Sequence, residues 1–162
     1  MAVFLWVLAV CIVLLWLFLR PGRYGEAQKQ LVYGVNHAHR GLHTKDKTVP
    51  ENSLPAFRAA AEAGYGVELD IQLSRDGQVV VFHDDNTQRV VGDAMVVEET
   101  TYETLRSLRL KDTDGQRGRN DLRIPSLREY VRICKKYGKV GVLELKNRFT
   151  IDDIRRIVDL IE

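Results

Sequence analysis

The sequence predicts an α/β domain behind one long apolar helix, on three observations. Segments of strand composition (residues 31–38, 67–73, 79–82 and 140–146) alternate with segments that carry helix caps and a helical apolar stripe (53–64, 126–138 and 150–161), the pattern of a sheet covered by helices. Residues 2–19 form an apolar run without a single charge. The whole chain of 162 residues is 45% hydrophobic and 28% charged, enough for one ordinary domain with a core and neither disordered nor fibrous.

The apolar run comes first. As a helix it is about 27 Å long, just able to cross a bilayer core, and it predicts a membrane anchor over residues 1–20. A cleaved signal peptide is the rival reading, but no basic residue precedes the run and only Arg20-Pro21-Gly22-Arg23 follows it, with no A-x-A site. Because Arg20, Arg23 and Lys29 all follow the helix, the positive-inside rule predicts a single-pass membrane protein with its globular part on the cytoplasmic side. Residues 21–34 read as a polar linker and the lead into the first strand, and 35–162 as the globular domain. A formal net charge of +2 with no basic patch interleaved with aromatics excludes nucleic acid as the expected partner. Cys11 and Cys134 lie far apart with no CxxC, so neither a disulfide framework nor a zinc site is expected.

The first strand, 31–38, leads into His37-Ala38-His39-Arg40-Gly41. Period two puts His37 and His39 on one face and Arg40 on the other, unless Gly41 lets the chain turn and brings all three together. Pro50-Glu51-Asn52-Ser53 then opens a helix, with Asn52 or Ser53 as its cap, Leu54, Phe57 and Ala61 on its apolar face and Gly64 at its end. Glu51 needs no role beyond favouring the helix N-terminus.

Residues 67–73 alternate strictly, so Glu68 and Asp70 leave one face of a strand while Leu69 and Ile71 leave the other. Asp76-Gly77 is a tight-turn signal, and Val79-Val80-Val81-Phe82 reads as a buried strand. With Asp76-Gly77 as a two-residue loop, the register sets Asp70 opposite His83 and brings an imidazole to two carboxylates. Further on, Thr100-Thr101-Tyr102-Glu103 reads as a capping box for a short helix through Leu105 and Leu108, and the charged loop 111–123 carries no readable chemistry. Ser126-Leu127-Arg128-Glu129 is a second capping box, for a helix with Leu127, Tyr130, Val131 and Cys134 inward and Gly138 as its stop. In 140–146 the alternation puts Glu144 and Lys146 on one face. The last helix, capped by Thr150, has Ile151, Ile154, Val158 and Ile161 as its apolar stripe.

Taken together and in this order, His39-Arg40-Gly41, Pro50-Glu51-Asn52, Glu68-Leu69-Asp70, His83-Asp84 and Glu144-Leu145-Lys146 resemble the glycerophosphodiester phosphodiesterase family, from about residue 35 to 147. The resemblance implies a TIM-barrel-like fold of the phospholipase-C-like phosphodiesterase type, with its site at the C-terminal ends of the strands. It also implies that Glu68, Asp70 and Glu144 bind a divalent metal, Mg²⁺ or Ca²⁺, that His39 and His83 are the general acid/base pair, and that Arg40, Glu51 and Lys146 support the phosphate. The substrate would be a glycerophosphodiester or a lysophospholipid, cleaved to an alcohol and glycerol phosphate.

Elementary chemistry agrees with these roles. Three carboxylates make a hard oxygen site suited to Mg²⁺ or Ca²⁺, and imidazoles can give or take protons at neutral pH. The length does not suit a whole barrel, which typically needs about 250 residues, so about half a barrel is expected, in a truncated chain or a fragment. A barrel also needs parallel neighbours where Asp76-Gly77 favours an antiparallel return, so a helix-free connection of open direction is expected there. Two other functions stay open: a non-catalytic membrane-tethered half-domain, and a related barrel-type phospholipase.

Overall fold

A computed structural model describes residues 2–20, 25–112, 119–146 and 148–162; parts of the expected 21–34 linker and of the 111–123 loop, and Asn147, lie outside the described residues. The chain divides into two units, Met1–Tyr33 and Gly34–Glu162.

In the first unit the apolar run is helical, α1 (Ala2–Leu19), because nothing polar, no glycine and no proline interrupts it. Its large side chains are exposed all round, among them Trp6 and Phe18. Its 18 residues span about 27 Å against a hydrocarbon core of about 30 Å. Among the described residues no helix is long and apolar enough to cross a membrane. The transmembrane span expected from the sequence is thus not supported. The linker holds a second helix, α2 (Glu26–Val32), where good helix formers and a Lys29–Glu26 pair at 2.8 Å outweigh the strand composition of residues 31 and 32.

The first strand is correspondingly short. In the second unit β1 (His37–Ala38) is followed by α3 (Leu54–Glu62), whose N-terminus Ser53 caps by accepting from the Ala56 amide. Strand β2 (Gly66–Leu73) is the centre of the sheet. It pairs in parallel with β4 (Gly141–Leu145) along one edge, while the opposite edge takes β1 in parallel at its start and β3 (Val79–Val81) antiparallel at its end. The open question of direction is thereby answered: the return through Gly77 is antiparallel.

The register differs from the expected one. Leu73 pairs with Val79 and Ile71 with Val81, so the loop has three residues, 75–77, with Gly77 at φ 72°. This is the three-residue hairpin in which glycine takes the left-handed position. Asp70 therefore faces Phe82, whose amide donates to its carbonyl at 3.0 Å, and not His83.

The outer face of β2 makes the core. Val67, Leu69 and Ile71 pack with Phe57, Ala60 and Ala61 of α3 and with Tyr130, Ile133 and Cys134 of α5 (Leu127–Tyr137). The Ser126 capping box and the left-handed Gly138 cap hold α5 as expected, and Tyr130 ties it to β2 through its hydroxyl, which donates to the Val67 carbonyl at 2.6 Å. A second cluster, including Val80, Phe82, Val97, Leu105, Leu122 and Ile124, lies under the connection after β3. There α4 (Tyr102–Ser107) is capped by Thr101, one residue later than expected, because the Thr100 hydroxyl is spent on the Val96 carbonyl at 2.7 Å. The last helix, α6 (Ile151–Ile161), has its Thr150 cap but is rotated from the expected stripe: Ile157 is buried and Ile161 packs on the core, while Ile151, Ile154 and Val158 are exposed.

Candidate active site

The inner face of β2 carries the chemistry. Glu68, Asp70 and Gln72 project from it, and the parallel register that sets Glu144 beside Asp70 brings a third carboxylate to the same face. One oxygen from each of Glu68, Asp70 and Glu144 lies within 4.8 Å of the others.

A strained turn closes over this group. Arg40 and Asn52 both have positive φ, 56° and 49°, rare for residues with a side chain, and the Asn52 amide donates to the Arg40 carbonyl at 2.9 Å. The return is worth its strain in contacts. The Arg40 amide donates to Glu68 Oε2 at 2.6 Å, and Asn52 Nδ2 donates to Asp70 Oδ2 at 2.9 Å. Gly41, at φ 78°, is needed because a Cβ there would come within 2.8 Å of Ala56. The turn resolves the question left by the strand period: Arg40 comes to the carboxylates, and its Nε lies 3.2 Å from Asp70 Oδ2. His37 takes no part, for its ring lies over Gly66. His39 is exposed beside Glu68.

On the other flank, His83 Nδ1 is 2.6 Å from Asp84 Oδ1. Gln72, fully buried, fixes the backbone there by donating to the carbonyls of Phe82 at 3.1 Å and Asp84 at 2.8 Å. Arg89 grips Asp84 with Nε and Nη2 and Glu51 with Nη1 and Nη2, at 2.7 to 3.0 Å. Glu51 also accepts from Arg40 Nη1 at 2.8 Å. A continuous chain of charge therefore runs from His83 through Asp84, Arg89, Glu51 and Arg40 to Asp70. Burial works against the Glu51 charge, yet the hydrogen bonds of Arg89 and then Arg40 prevail and hold its carboxyl down to about 2. Glu68 goes the other way. Burial raises its carboxyl, with Asp70 and Glu144 adding to the rise against the Arg40 amide and His39.

The group is fitted for a cation. Five carboxylates (Glu51, Glu68, Asp70, Asp84 and Glu144) face three permanent cations (Arg40, Arg89 and Lys146), and the buried Asp70 Oδ1 has no hydrogen-bond partner among the described residues. Lys146 Nζ is 2.7 Å from Glu144 Oε1 but 3.7 Å from that orphan oxygen, too far for a hydrogen bond. An oxygen-only donor set with a deficit of positive charge suits a hard divalent ion. The adjoining cavity, about 570 Å³ and lined by His83, Asp84, Arg89 and Lys146 among others, is open to solvent.

All eight residues singled out in the sequence fall in this region: Glu68, Asp70 and Glu144 in one group, Arg40 and Lys146 against it, Glu51 and His83 linked to it, and His39 at its margin. Gln72, Asp84 and Arg89 were given no role by sequence, and Asn52 only that of a candidate helix cap. Asn52 and Asp84 sit inside quoted motifs, and Gln72 continues the alternation of Glu68 and Asp70; Arg89 lies in a loop without period or motif and leaves no local signal.

The chain belongs to the glycerophosphoryl diester phosphodiesterase family, whose pattern matches residues 39–155. It is 40% identical over 111 residues to a glycerophosphodiester phosphodiesterase of Caldanaerobacter subterraneus, covering 68% of this chain and 44% of that one. It is 36% identical over 113 residues to human glycerophosphodiester phosphodiesterase 1, covering 67% and 33%. Among solved structures it resembles an Oleispira antarctica phosphodiesterase in complex with the product sn-glycerol-3-phosphate, with a TM-score of 0.64, 29% identity, and coverage of 77% of this chain and 51% of that one. The barrel-like fold is therefore shared over part of its circuit, and the chain spans less than half the length of these curated relatives.

Proposed function

We propose that the site is that of a metal-dependent phosphodiesterase that cleaves glycerophosphodiesters to an alcohol and glycerol phosphate. The observation that carries this reading is the group Glu68, Asp70 and Glu144 with the partnerless Asp70 Oδ1 at its centre. A divalent ion held there, Mg²⁺ or Ca²⁺, would offset charge developing on the nonbridging phosphate oxygens. Arg40 and Lys146, already beside those carboxylates, bind and orient the phosphate. With Nδ1 engaged by Asp84, His83 has Nε2 for moving a proton, and the exposed His39 supplies the second imidazole, so one serves as acid and the other as base. The names of the relatives, and the product held by the Oleispira enzyme, support glycerophosphodiesters as the substrate class, and lysophospholipids extend it.

The test is hydrolysis of glycerophosphocholine and of lysophosphatidylcholine with Mg²⁺ or Ca²⁺, for the wild type, His39→Ala and His83→Ala. Turnover that survives both histidine variants or a chelator would refute the reading. A second reading, phosphate binding without turnover, is favoured by the exposure of β4, where Val142 and Leu145 are each 41% exposed. Metal-dependent turnover separates the two.

The location is proposed on sequence grounds. The exposed apolar surface of α1 suits lipid better than water, and Arg20, Arg23 and Lys29 after it favour the cytoplasmic side. Digestion of the domain by protease added outside intact cells would reverse the orientation.

A further inference from the structure

Behind the ion pairs of the site lies a second cavity, of about 190 Å³, whose walls include His43, Lys45, Lys47, Glu51, Arg89 and Lys111. Its volume is about six times a water molecule's share of the liquid, room for an oxyanion and part of its shell. The lysines come from two separate segments. Lys45 and Lys47 ride on the loop after β1, and Lys111 stands on the segment after α4, where its amide donates to the Val90 carbonyl at 2.8 Å.

The loop is built to hold them. Its one carboxylate, Asp46, is exposed and accepts from the Thr44 and Thr48 hydroxyls and the Thr48 amide of its own loop, at 2.6 to 3.1 Å. The Thr44 amide donates to the Val49 carbonyl at 2.9 Å, and Arg119 Nη1 donates to the Thr48 carbonyl at 2.7 Å. Glu51 offers the cavity little free charge, because Arg89 holds both its oxygens and Arg40 shares one. The ion pairs of the site use Arg40, Arg89 and Lys146, and Lys45, Lys47 and Lys111 belong to none of those. Three lysines thus line one cavity, and the Glu51 that shares its wall is already held by Arg89 and Arg40.

Glu51 and Arg89 line this cavity, and they are bonded on to Arg40 and Asp84 of the site. A diester whose phosphate lies against Arg40, which is 2.8 Å from Glu51, would enter this cavity by passing Glu51 with one of its substituents. We propose that this cavity is a second anion site, which selects diesters whose alcohol carries a further phosphate, such as glycerophosphoinositol phosphate, over those with neutral or cationic alcohols. The proposal rests on the functional reading above for the position of the diester phosphate. Lysine suits the task, since compact hydrated ammonium groups on flexible stems follow a phosphate without fixing its orientation.

The experiment is a calorimetric titration of the full chain, without divalent metal, with glycerophosphoinositol phosphate and with glycerophosphoinositol. Wild type is compared with the pair Lys45→Ala/Lys47→Ala and with Lys111→Ala, circular dichroism confirming the fold of each. Exposed cations each contribute a few-fold, so the phosphorylated ligand should bind about tenfold more tightly to the wild type. That preference should shrink severalfold in each variant and weaken with added salt. Equal binding of the two ligands by the wild type, or a preference untouched by the lysine changes, would overturn the site. Phosphatidylcholine vesicles with and without phosphatidylinositol phosphate form the other arm: lysine-dependent binding to the charged vesicles, with no preference between the soluble ligands, would assign the lysines to a lipid surface and overturn the substrate proposal. A preference kept by a chain that hydrolyses no diester would support the site while counting against the hydrolase reading.

Discussion

Arg89 holds Asp84 as a fork, Nε to Oδ2 at 2.7 Å and Nη2 to Oδ1 at 3.0 Å, and so fixes the carboxylate that accepts from His83. The arginine touches no reacting atom under the proposed chemistry; it positions the imidazole through Asp84. Planar two-point recognition of this kind is specific to guanidinium. Arg89→Lys should therefore keep the charge and lose the geometry. In the wild type, ¹⁵N chemical shifts should place the His83 proton on Nδ1, and in Arg89→Lys they should show mixed tautomers. Turnover should fall on the order of tenfold or more with little change in KM, since small displacements of a catalytic group are costly. An unchanged tautomer and rate would show that Asp84 orients His83 unaided.

The carboxylate group separates metal affinity from fold stability. Glu144 is half exposed and, among the described residues, its side chain is bonded to Lys146 alone, whereas Asp70 is fully buried and partnered by Asn52 and Arg40. Glu144→Gln should weaken Mg²⁺ or Ca²⁺ binding at least tenfold in calorimetry while changing stability by no more than about 0.5 kcal/mol. Asp70→Asn should weaken binding and also cost about 1 to 3 kcal/mol in urea unfolding, because it removes a buried charge that accepts from Asn52 and pairs with Arg40, leaving Arg40 with Glu51 alone among the ion pairs of the site. Equal metal affinity in wild type and both variants would remove the metal from the site.

How much of this was legible in the sequence depended on how local each signal was. Helices α3, α5 and α6 were readable because their caps are written in the few residues that make them, Ser53, Ser126 and Thr150. The carboxylates were readable because strand alternation fixes their face. The hairpin register missed by one residue, since Asp76-Gly77 suits either a two-residue loop or the observed three-residue loop with Gly77 left-handed. The face of α6 missed for another reason: its apolar residues occupy two overlapping stripes, and packing on the core selected Ile157 and Ile161 over Ile151 and Ile154. Arg89 could not be found at all. Its partner Glu51 is joined to it by tertiary folding alone, and its partner Asp84, five residues earlier, through a loop with no periodic pattern.

Gly41 offers a test of the turn that delivers Arg40. Alanine there would be strained by φ 78° and would also set its Cβ within 2.8 Å of the Ala56 backbone in α3. Gly77 has a similar φ of 72° but open space around it. Gly77→Ala should therefore cost about 1 kcal/mol for the backbone conformation alone. Gly41→Ala should cost several kcal/mol and should also weaken metal binding, because the Arg40 amide that bonds Glu68 moves with it. Chemical denaturation of both variants checks the ratio. Similar losses would mean that α3 yields to the added methyl.

Glu51 links the site to acid stability, and the sign follows from its carboxyl. Burial opposes its charge, but Arg89 and Arg40 overcome that and lower it from 4.5 in the unfolded chain to about 2 in the folded one. A folded value below the unfolded one means that the native state keeps the charge while the unfolded state takes up a proton. The stability that Glu51 contributes is then complete above about pH 4.5, declines as pH falls through the window between 4.5 and 2, and is gone below about 2. Glu51→Gln should accordingly lose about 1.5 to 3 kcal/mol at neutral pH, the range for hydrogen bonds to charged groups. Near pH 2 the variant and the wild type should be nearly equal in stability. Urea unfolding at neutral pH, near pH 4 and near pH 2 measures the gap at each end of the window and within it. A gap that stays constant down to pH 2 would mean that the Arg40 and Arg89 bonds to Glu51 stabilise its protonated form as well, and that the charge itself contributes nothing.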